Sequence, residues 1–145
     1  MRGVDASSGE GWIQHFREKG TIGMRVMVIG ASTDREKFGN KAVRAYQQDG
    51  HEVFPVNPHE DEIEGITTFH EAKDVPGPID RAALYVPPEV GEQVVEQLAA
   101  RGDVKEVFFN PGSDSDALLD KAEQLGLNYV EGCAIRAIDL YPSTL

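Results

Sequence analysis

Short unbroken runs of apolar residues alternate with apolar stripes of helical spacing along most of this chain. The clearest run, VMVI at residues 26–29, is bounded by Gly30 and is typical of a strand buried on both faces of a parallel sheet. Ala42, Val43 and Tyr46 then recur at the spacing of one helix face. The pattern therefore predicts a strand over residues 25–29, a turn of small residues, and a helix that begins near residue 39.

The same alternation continues along the rest of the chain. Two further stripes predict helices between Pro88 and Gly102 and between Ser113 and Gly126, and Ser113 with Asp116 forms a capping-box-like start. Strands are predicted at residues 51–56, 66–69, 81–86, 105–109 and 128–130. The expected buried stripes are Val90, Val94, Val95 and Leu98 in the first of these helices, and Leu118, Ala122 and Leu125 in the second. Strands that alternate with helices predict an α/β fold, a doubly wound, mostly parallel, Rossmann-like sheet with helices on both faces.

Residues 1–22 are predicted to be a loose tail followed by a short amphipathic helix, and residues 23–145 a single domain. The helix is indicated by Trp12, Ile13 and Phe16, which fall at helical spacing. We expect it to cover a face or an edge of the sheet. The alternative is a ligand-free scaffold that forms a homodimer through this helix.

Charge and composition narrow the classes of partner. The 145 residues carry a net charge of −11, which argues against nucleic acid or an anionic membrane surface as partner. No apolar stretch approaches the ~20 residues of a membrane helix, and the N-terminus lacks a signal-peptide pattern, so a cytoplasmic protein is expected. The scattered histidines and the lone cysteine lack zinc-site spacing, so no metal is expected. The acidic run at residues 60–64 is predicted to be a solvated loop.

The loops that follow the predicted strands carry small, proline and amide residues. Ligands of open α/β sheets bind beyond the carboxyl ends of the strands, where backbone N–H groups and helix N-termini can receive an anion. These loops therefore form the predicted ligand site. Its candidate residues are Gly30, Ala31, Ser32, Gly39, Asn40, Asn57, Pro58, Val86, Pro87, Pro88, Asn110, Pro111 and Gly112.

The identity of the ligand depends on the end of the second strand. An NAD site places Asp or Glu there, about 20 residues after the glycine turn, but residues 54–58 read FPVNP. Cations instead follow the first strand, at Arg35, Lys37, Lys41 and Arg44, and such side chains suit an additional phosphate. Because acidic residues are interleaved with them, a solvated helix start of mixed charge is the alternative.

Several short motifs, in their order and spacing, resemble the CoA-binding domain family. They are VMVIGAST at residues 26–33, VNP at 56–58, EIEG at 62–65, YVPP at 85–88, FFNPG at 108–112 and VEGC at 130–133. Members of this family are small stand-alone proteins similar to the first domain of the succinyl-CoA synthetase alpha subunit. The resemblance covers residues 23–140.

The resemblance implies coenzyme A or an acyl-CoA as the ligand, with the parts of the ligand divided among the loops. At Asn110 and Pro111 many relatives have a Trp-Gln pair instead, so the lining near the thiol end of the ligand differs in this chain. The implied contacts are Gly30, Ala31 and Ser32 for the pyrophosphate, Arg35 and Lys37 for the adenosine 3′-phosphate, and Asn57, Pro58, Val86 and Pro87 for the adenine and pantetheine.

Cys133 is the residue with latent reactivity. Its small apolar neighbours predict a buried, inert thiol. The alternative is that Cys133 lies near the pantetheine sulfur and forms a mixed disulfide with it.

The function predicted from these observations is non-catalytic binding of CoA or a short acyl-CoA. Two enzymatic alternatives stay open: a small NAD(P)-dependent oxidoreductase and a detached component of an acyl-CoA ligase. The first needs a substrate-binding segment and a proton donor, and the second a phosphorylatable histidine on a separate domain; neither set is evident in the sequence. A protein partner is compatible with either the binding or the ligase interpretation.

Overall fold

Five parallel strands form the main sheet in the computed structural model, which describes residues 23–145. The strands are β1 (Arg25–Ile29), β2 (Glu52–Val56), β5 (Arg81–Leu84), β6 (Val107–Phe109) and β7 (Tyr129–Glu131), and their order across the sheet is β2-β1-β5-β6-β7. A hairpin of β3 (Glu62–Ile63) and β4 (Ile66–Thr67) lies beside it. The helices are α1 (Phe38–Gln48), α2 (Pro88–Arg101) and α3 (Asp116–Gln124), with 3-10 turns at Ala72–Asp74, Arg136–Ile138 and Pro142–Thr144.

Strand β1 lies inside the sheet and is buried on both faces, as its apolar run predicts. Met27 and Ile29 face a layer formed by α2 and α3. Val26 and Val28 face the opposite layer, which contains Tyr46 of α1 and the segment that follows β7. The predicted Rossmann-like α/β fold with helices on both faces is therefore confirmed, and the bounds predicted for β1 agree with the structure.

The order of the strands reverses between β1 and β5. From β1 the chain crosses to β2 on one side, and it later returns to form β5 on the other side and continues outward through β6 to β7. The helices that follow β1 and β5 lie on opposite faces of the sheet, so their loops diverge and leave a crevice at the carboxyl ends of these strands. This is the place where the fold can accept a ligand.

In α2 and α3, the predicted apolar stripes include terminal residues that do not pack against the sheet. Val95 and Leu98 are fully buried, as are Leu118 and Ala122, but Val90 is 48% and Leu125 40% exposed. Val90 lies in the first turn of α2, and Leu125 follows the end of α3. The prediction that both belong to the buried stripes is therefore wrong.

The start of α3 also differs from the prediction. The N-cap is Ser115, whose Oγ accepts a hydrogen bond of 3.1 Å from the Leu118 amide. Ser113 is instead buried in the turn after β6, where its N–H donates to the Asn110 carbonyl. The capping box proposed for Ser113 and Asp116 is wrong because the N-cap lies two residues after Ser113, too far for the Ser113 side chain to serve the free amides of the helix.

The acidic run at residues 60–64 is not a solvated loop throughout. Glu62 and Ile63 form β3, and Ile63 is 1% exposed because it packs in the layer that contains α1. The strand predicted at residues 66–69 is confirmed at Ile66–Thr67, where it pairs antiparallel with β3. Phe69 makes an isolated parallel bridge to Val56 and so covers the end of edge strand β2.

The predicted N-terminal tail and amphipathic helix lie outside the described residues. Within residues 23–145, no helix has the length and apolarity that crossing a bilayer requires.

Candidate functional site

A cleft of about 770 Å³ opens at the carboxyl ends of β1, β5 and β6, where the strand order reverses. Its wall is mostly apolar, with aromatic, proline and glycine residues beside a few polar groups. A cavity of this size is in the range that holds a cofactor-sized molecule. The lining residues are Gly30, Glu36, Lys37, Phe38, Gly39, Tyr85, Val86, Pro87, Asn110, Pro111, Gly112, Ser113, Cys133 and Pro142.

Nine of the predicted site residues lie in this lining, and the structure brings them together from three loops and the segment after β7. The other seven lie outside it: Ala31, Ser32, Arg35, Asn40, Asn57, Pro58 and Pro88. Ala31 is fully buried, and its carbonyl accepts a hydrogen bond from Nδ2 of the Asn57 side chain. Pro58 is exposed, and Pro88 is the first residue of α2.

The turn after β1 brings the start of α1 to the cleft. Gly30 has φ +90 and lies against the carbonyl of Tyr85 on β5's side, and both Gly30 and Ala31 donate their amides to the Val56 carbonyl. Phe38 and Gly39 are the first two residues of α1, and the amides of a first helical turn have no acceptor within the helix. Together with Lys37, they give the cleft a wall that suits an anionic group.

Arg35 and Asn40 belong to a polar network outside the cleft, which is centred on Glu64 of the β3–β4 turn. The Glu64 carboxylate accepts hydrogen bonds from Arg35 Nη1 (2.6 Å) and from Asn40 Nδ2 (2.9 Å). Asn40 Nδ2 also donates to the Ser32 carbonyl at 2.8 Å. The network joins the loop after β1 to the hairpin, and the prediction that Glu64 is a solvated loop residue is wrong.

Glu64 is expected to make the stability of the protein depend on acid pH. The Asn40 hydrogen bond, followed by the charge of Arg35, holds the pKa of Glu64 below its ordinary value. A lowered folded-state pKa gives stability that is present above the unfolded pKa and lost as pH falls through the folded pKa. Glu64→Gln should therefore cost about 0.5–1 kcal/mol of unfolding free energy at pH 7, and this difference from wild type should shrink and vanish as pH falls from 7 to below the folded-state pKa of Glu64. Urea titrations of both proteins across this range measure it; a difference that is constant with pH would contradict it.

The segment after β7 forms one wall of the cleft, and the side chains of Asn110 and Tyr46 hold it by hydrogen bonds to the backbone of Ala134. The buried Asn110 side chain accepts from the Ala134 amide at 2.8 Å and donates to the Leu84 carbonyl at 2.9 Å. The Tyr46 hydroxyl donates to the Ala134 carbonyl at 2.6 Å and accepts from Arg81 at 3.0 Å. Asn110 therefore contributes to the cleft mainly by fixing its walls.

Cys133 precedes Ala134 in the chain. It lies in the lining of the cleft and is only partly buried. The prediction of a buried thiol is wrong because the segment places Cys133 at the surface of the cleft. Tyr85 lies in the same lining, and its hydroxyl is a buried group without a hydrogen-bond partner in the described part of the chain. Burial raises the pKa of the Tyr85 phenol far above its ordinary value, so the group stays protonated.

No metal centre is evident in residues 23–145, where no group of three His, Cys, Asp or Glu side chains is placed to hold an ion. His51 lies at the start of edge strand β2, where its Nδ1 accepts from the Met24 amide. His59 and His70 are exposed.

Five lining residues were absent from the predicted site: Glu36, Phe38, Tyr85, Ser113 and Pro142. Phe38 and Tyr85 adjoin predicted residues, so a wider window around the loops would have included them. Pro142 follows the last strand by more than ten residues, and no local signal in the sequence connects it to the cleft.

The sequence model of a family described as the CoA binding domain matches residues 24–138. This chain belongs to the CoA binding domain family. The match includes the whole five-stranded sheet and every lining residue of the cleft except Pro142.

Several curated relatives are much longer proteins. The alpha subunit of an ADP-forming acetate–CoA ligase II from Pyrococcus furiosus is 35% identical over 80 residues, which are 53% of this chain and 17% of the relative. An ADP-forming acetate–CoA ligase from Methanocaldococcus jannaschii is 32% identical over 87 residues, 60% of this chain and 12% of the relative. The matched part of this chain therefore spans less than a fifth of the length of these relatives.

Solved structures include both small and large members. A conserved hypothetical protein from Pyrococcus furiosus has a TM-score of 0.73 and 32% identity, with 79% of this chain and 99% of that chain covered. A dinucleotide-forming acetyl-coenzyme A synthetase 1 from Ca. Korarchaeum cryptofilum has a TM-score of 0.66 and 26% identity, with 78% and 26% covered. The same fold thus constitutes nearly all of the first protein and a quarter of the second.

Proposed function

We propose that this chain binds coenzyme A or a short acyl-CoA in the cleft between the ends of β1, β5 and β6. One observation carries the proposal: the largely apolar, cofactor-sized cleft is lined on one wall by Lys37 and the N-terminus of α1, in a chain of the CoA binding domain family. Such a lining accommodates a ligand that has an anionic end and a long, uncharged arm. CoA has both, in its phosphates and its pantetheine arm.

The groups that suit an anion lie together on one wall of the cleft, and this distribution determines the orientation of the bound ligand. Its phosphates lie near Gly30 and the first turn of α1, where the backbone amides of Phe38 and Gly39 and the side chain of Lys37 are available. The pantetheine arm then follows the apolar wall of Val86, Pro87 and Pro111, and its thiol approaches Cys133.

Binding without catalysis is the role we propose, as a carrier, a sensor or a subunit. The relatives named as ligases favour one second candidate, in which the chain supplies the CoA site of a ligase and a protein partner supplies the rest. Copurification with a nucleotide-binding protein, and CoA-ligase activity of the mixture but not of the chain alone, would select this candidate.

A thermal-shift series tests the ligand. A molecule that binds only the folded protein raises its Tm by mass action. CoA and acetyl-CoA should raise the Tm, with dephospho-CoA giving a smaller shift and NAD or NADP giving none. A shift with NAD alone would replace the proposal with a dinucleotide enzyme.

Lys37→Glu should weaken CoA binding more than dephospho-CoA binding. Reversing a charge beside a phosphate removes an attraction and adds a repulsion, so we expect about a tenfold loss for CoA and a smaller loss for dephospho-CoA. Titration calorimetry with both ligands measures the difference. Lys73→Glu, the same change at an exposed lysine outside the cleft, should leave both affinities within about twofold. Equal losses for the two ligands in the Lys37 variant would place this lysine away from the 3′-phosphate.

A further inference from the structure

Glu64 occupies an unusual backbone position. The pairing of Ile63 with Ile66 leaves Glu64 and Gly65 as a two-residue hairpin loop, with φ values of 51° and 77°. Two positive φ angles define a type I′ turn, whose first position favours Asn and disfavours a longer L side chain. The chain therefore places a glutamate where local preference would select another residue.

This turn directs the Glu64 carboxylate onto the loop after β1. The carboxylate accepts hydrogen bonds from Arg35 and Asn40 in this loop. Arg44 fixes the loop further, because its Nη2 donates to the Arg35 carbonyl (2.9 Å) and its Nε donates to Asn40 Oδ1 (2.7 Å). Both the guanidinium and the main chain of Arg35 are therefore held. The Glu64 side chain is 18% exposed, so this carboxylate is partly shielded from water, whereas Arg35 is 60% exposed.

Arg35 and Lys37 consequently have different surroundings although they are two residues apart. Lys37 lines the cleft, but Arg35 does not, and its guanidinium faces the hairpin. Their joint placement at the 3′-phosphate, which the resemblance implies, would require Arg35 to leave Glu64.

We propose that Glu64 determines specificity by retaining Arg35 on the hairpin, which leaves Lys37 to meet the phosphate of the ligand and limits the preference for 3′-phosphorylated CoA. The inference rests on the proposed CoA binding. An arginine released from Glu64 can form paired hydrogen bonds with a phosphate, which a lysine cannot do. Removing the carboxylate should therefore raise the affinity for CoA relative to dephospho-CoA.

The experiment is a calorimetric titration of CoA and dephospho-CoA into wild type, Glu64→Gln, Arg35→Ala and the double variant. The ratio of the two affinities should rise about five- to tenfold in Glu64→Gln. It should stay at the wild-type value in Arg35→Ala and return to that value in the double variant. Glu62→Gln removes the same charge from the neighbouring strand and should leave the ratio unchanged. Glu64→Asn keeps the turn, because Asn-Gly is the preferred type I′ sequence, and should reproduce the increase if Glu64→Gln folds poorly.

Two results would overturn the inference. If Arg35→Ala lowers the affinity ratio in an otherwise wild-type chain, Arg35 already contacts the phosphate. If both Glu64 variants leave the ratio unchanged, the ion pair has no influence on specificity. Absence of binding of either ligand to the wild-type protein would instead refute the proposed function itself, so the two failures are distinguishable.

Discussion

Replacing Gly30 with alanine is expected to lower the unfolding free energy by about 3 kcal/mol or more and to abolish ligand binding. Gly30 has φ +90, and an added Cβ would lie 2.5 Å from the Tyr85 carbonyl oxygen, a backbone atom of the neighbouring strand's loop. The substitution therefore combines an unfavourable backbone angle with a clash that only a separation of β1 from β5 can relieve. That separation would alter the cleft where both loops form it.

Gly112→Ala is the matched control because it isolates the backbone angle. Gly112 has φ +91, but no atom lies within 4 Å of the position that its Cβ would occupy. Its replacement should cost about 1–2 kcal/mol. Urea denaturation of the three proteins measures the difference, and equal losses at the two positions would show that the contact with Tyr85 contributes nothing.

Asn110→Ala is expected to cost about 2–4 kcal/mol and to loosen the wall that carries Cys133. The variant leaves two buried backbone groups, the Leu84 carbonyl and the Ala134 amide, without the partners that Asn110 provides. The unfolding free energy and the rate of Cys133 labelling by a thiol reagent measure the two effects, and labelling should accelerate.

Asn128→Ala controls for the loss of an asparagine as such. Its side chain is exposed and makes a long bond of 3.4 Å to the Lys105 carbonyl, so the change should stay within about 0.5 kcal/mol. An Asn110 variant that is as stable as this control, with unchanged labelling, would contradict the structural role given to Asn110.

The elements that the sequence predicts well are those whose burial is continuous along the chain. The apolar run of β1 is sufficient because an interior strand of a parallel sheet is covered on both faces. The stripes of α2 and α3 are less informative at their ends, because periodicity identifies the buried face but not how far the sheet reaches. Val90 and Leu125 show this, since they keep the period and are exposed. Strand β3 escapes prediction because its two residues lie in an acidic run and are too few to show a periodicity.

The position of the site follows from the order of the elements, but its internal contacts do not. Loops after parallel strands converge at one edge of the sheet, so the residues at three of the four predicted loops meet in the cleft. The contacts that fix its walls are between side chains and distant backbone, as in the bond from Tyr46 to Ala134, across 88 positions. No spacing rule connects such residues. No spacing rule connects Glu64 with Arg35 either, and their ion pair places the Arg35 guanidinium against the hairpin, whereas the resemblance places it near the 3′-phosphate.

The position of β1 inside the sheet also has a consequence for synthesis of the chain. This strand is made first among those of the sheet, yet Ile29 pairs with Leu84, which is added 55 residues later. At ~5–20 residues per second, the ribosome takes roughly 3–11 s to supply that partner. During this interval one edge of a strand with four consecutive apolar residues has no native neighbour and is open to association with other chains. Newly made protein is therefore most vulnerable to aggregation before β5 emerges, and a chaperone that shields residues 25–29 would protect it at that stage.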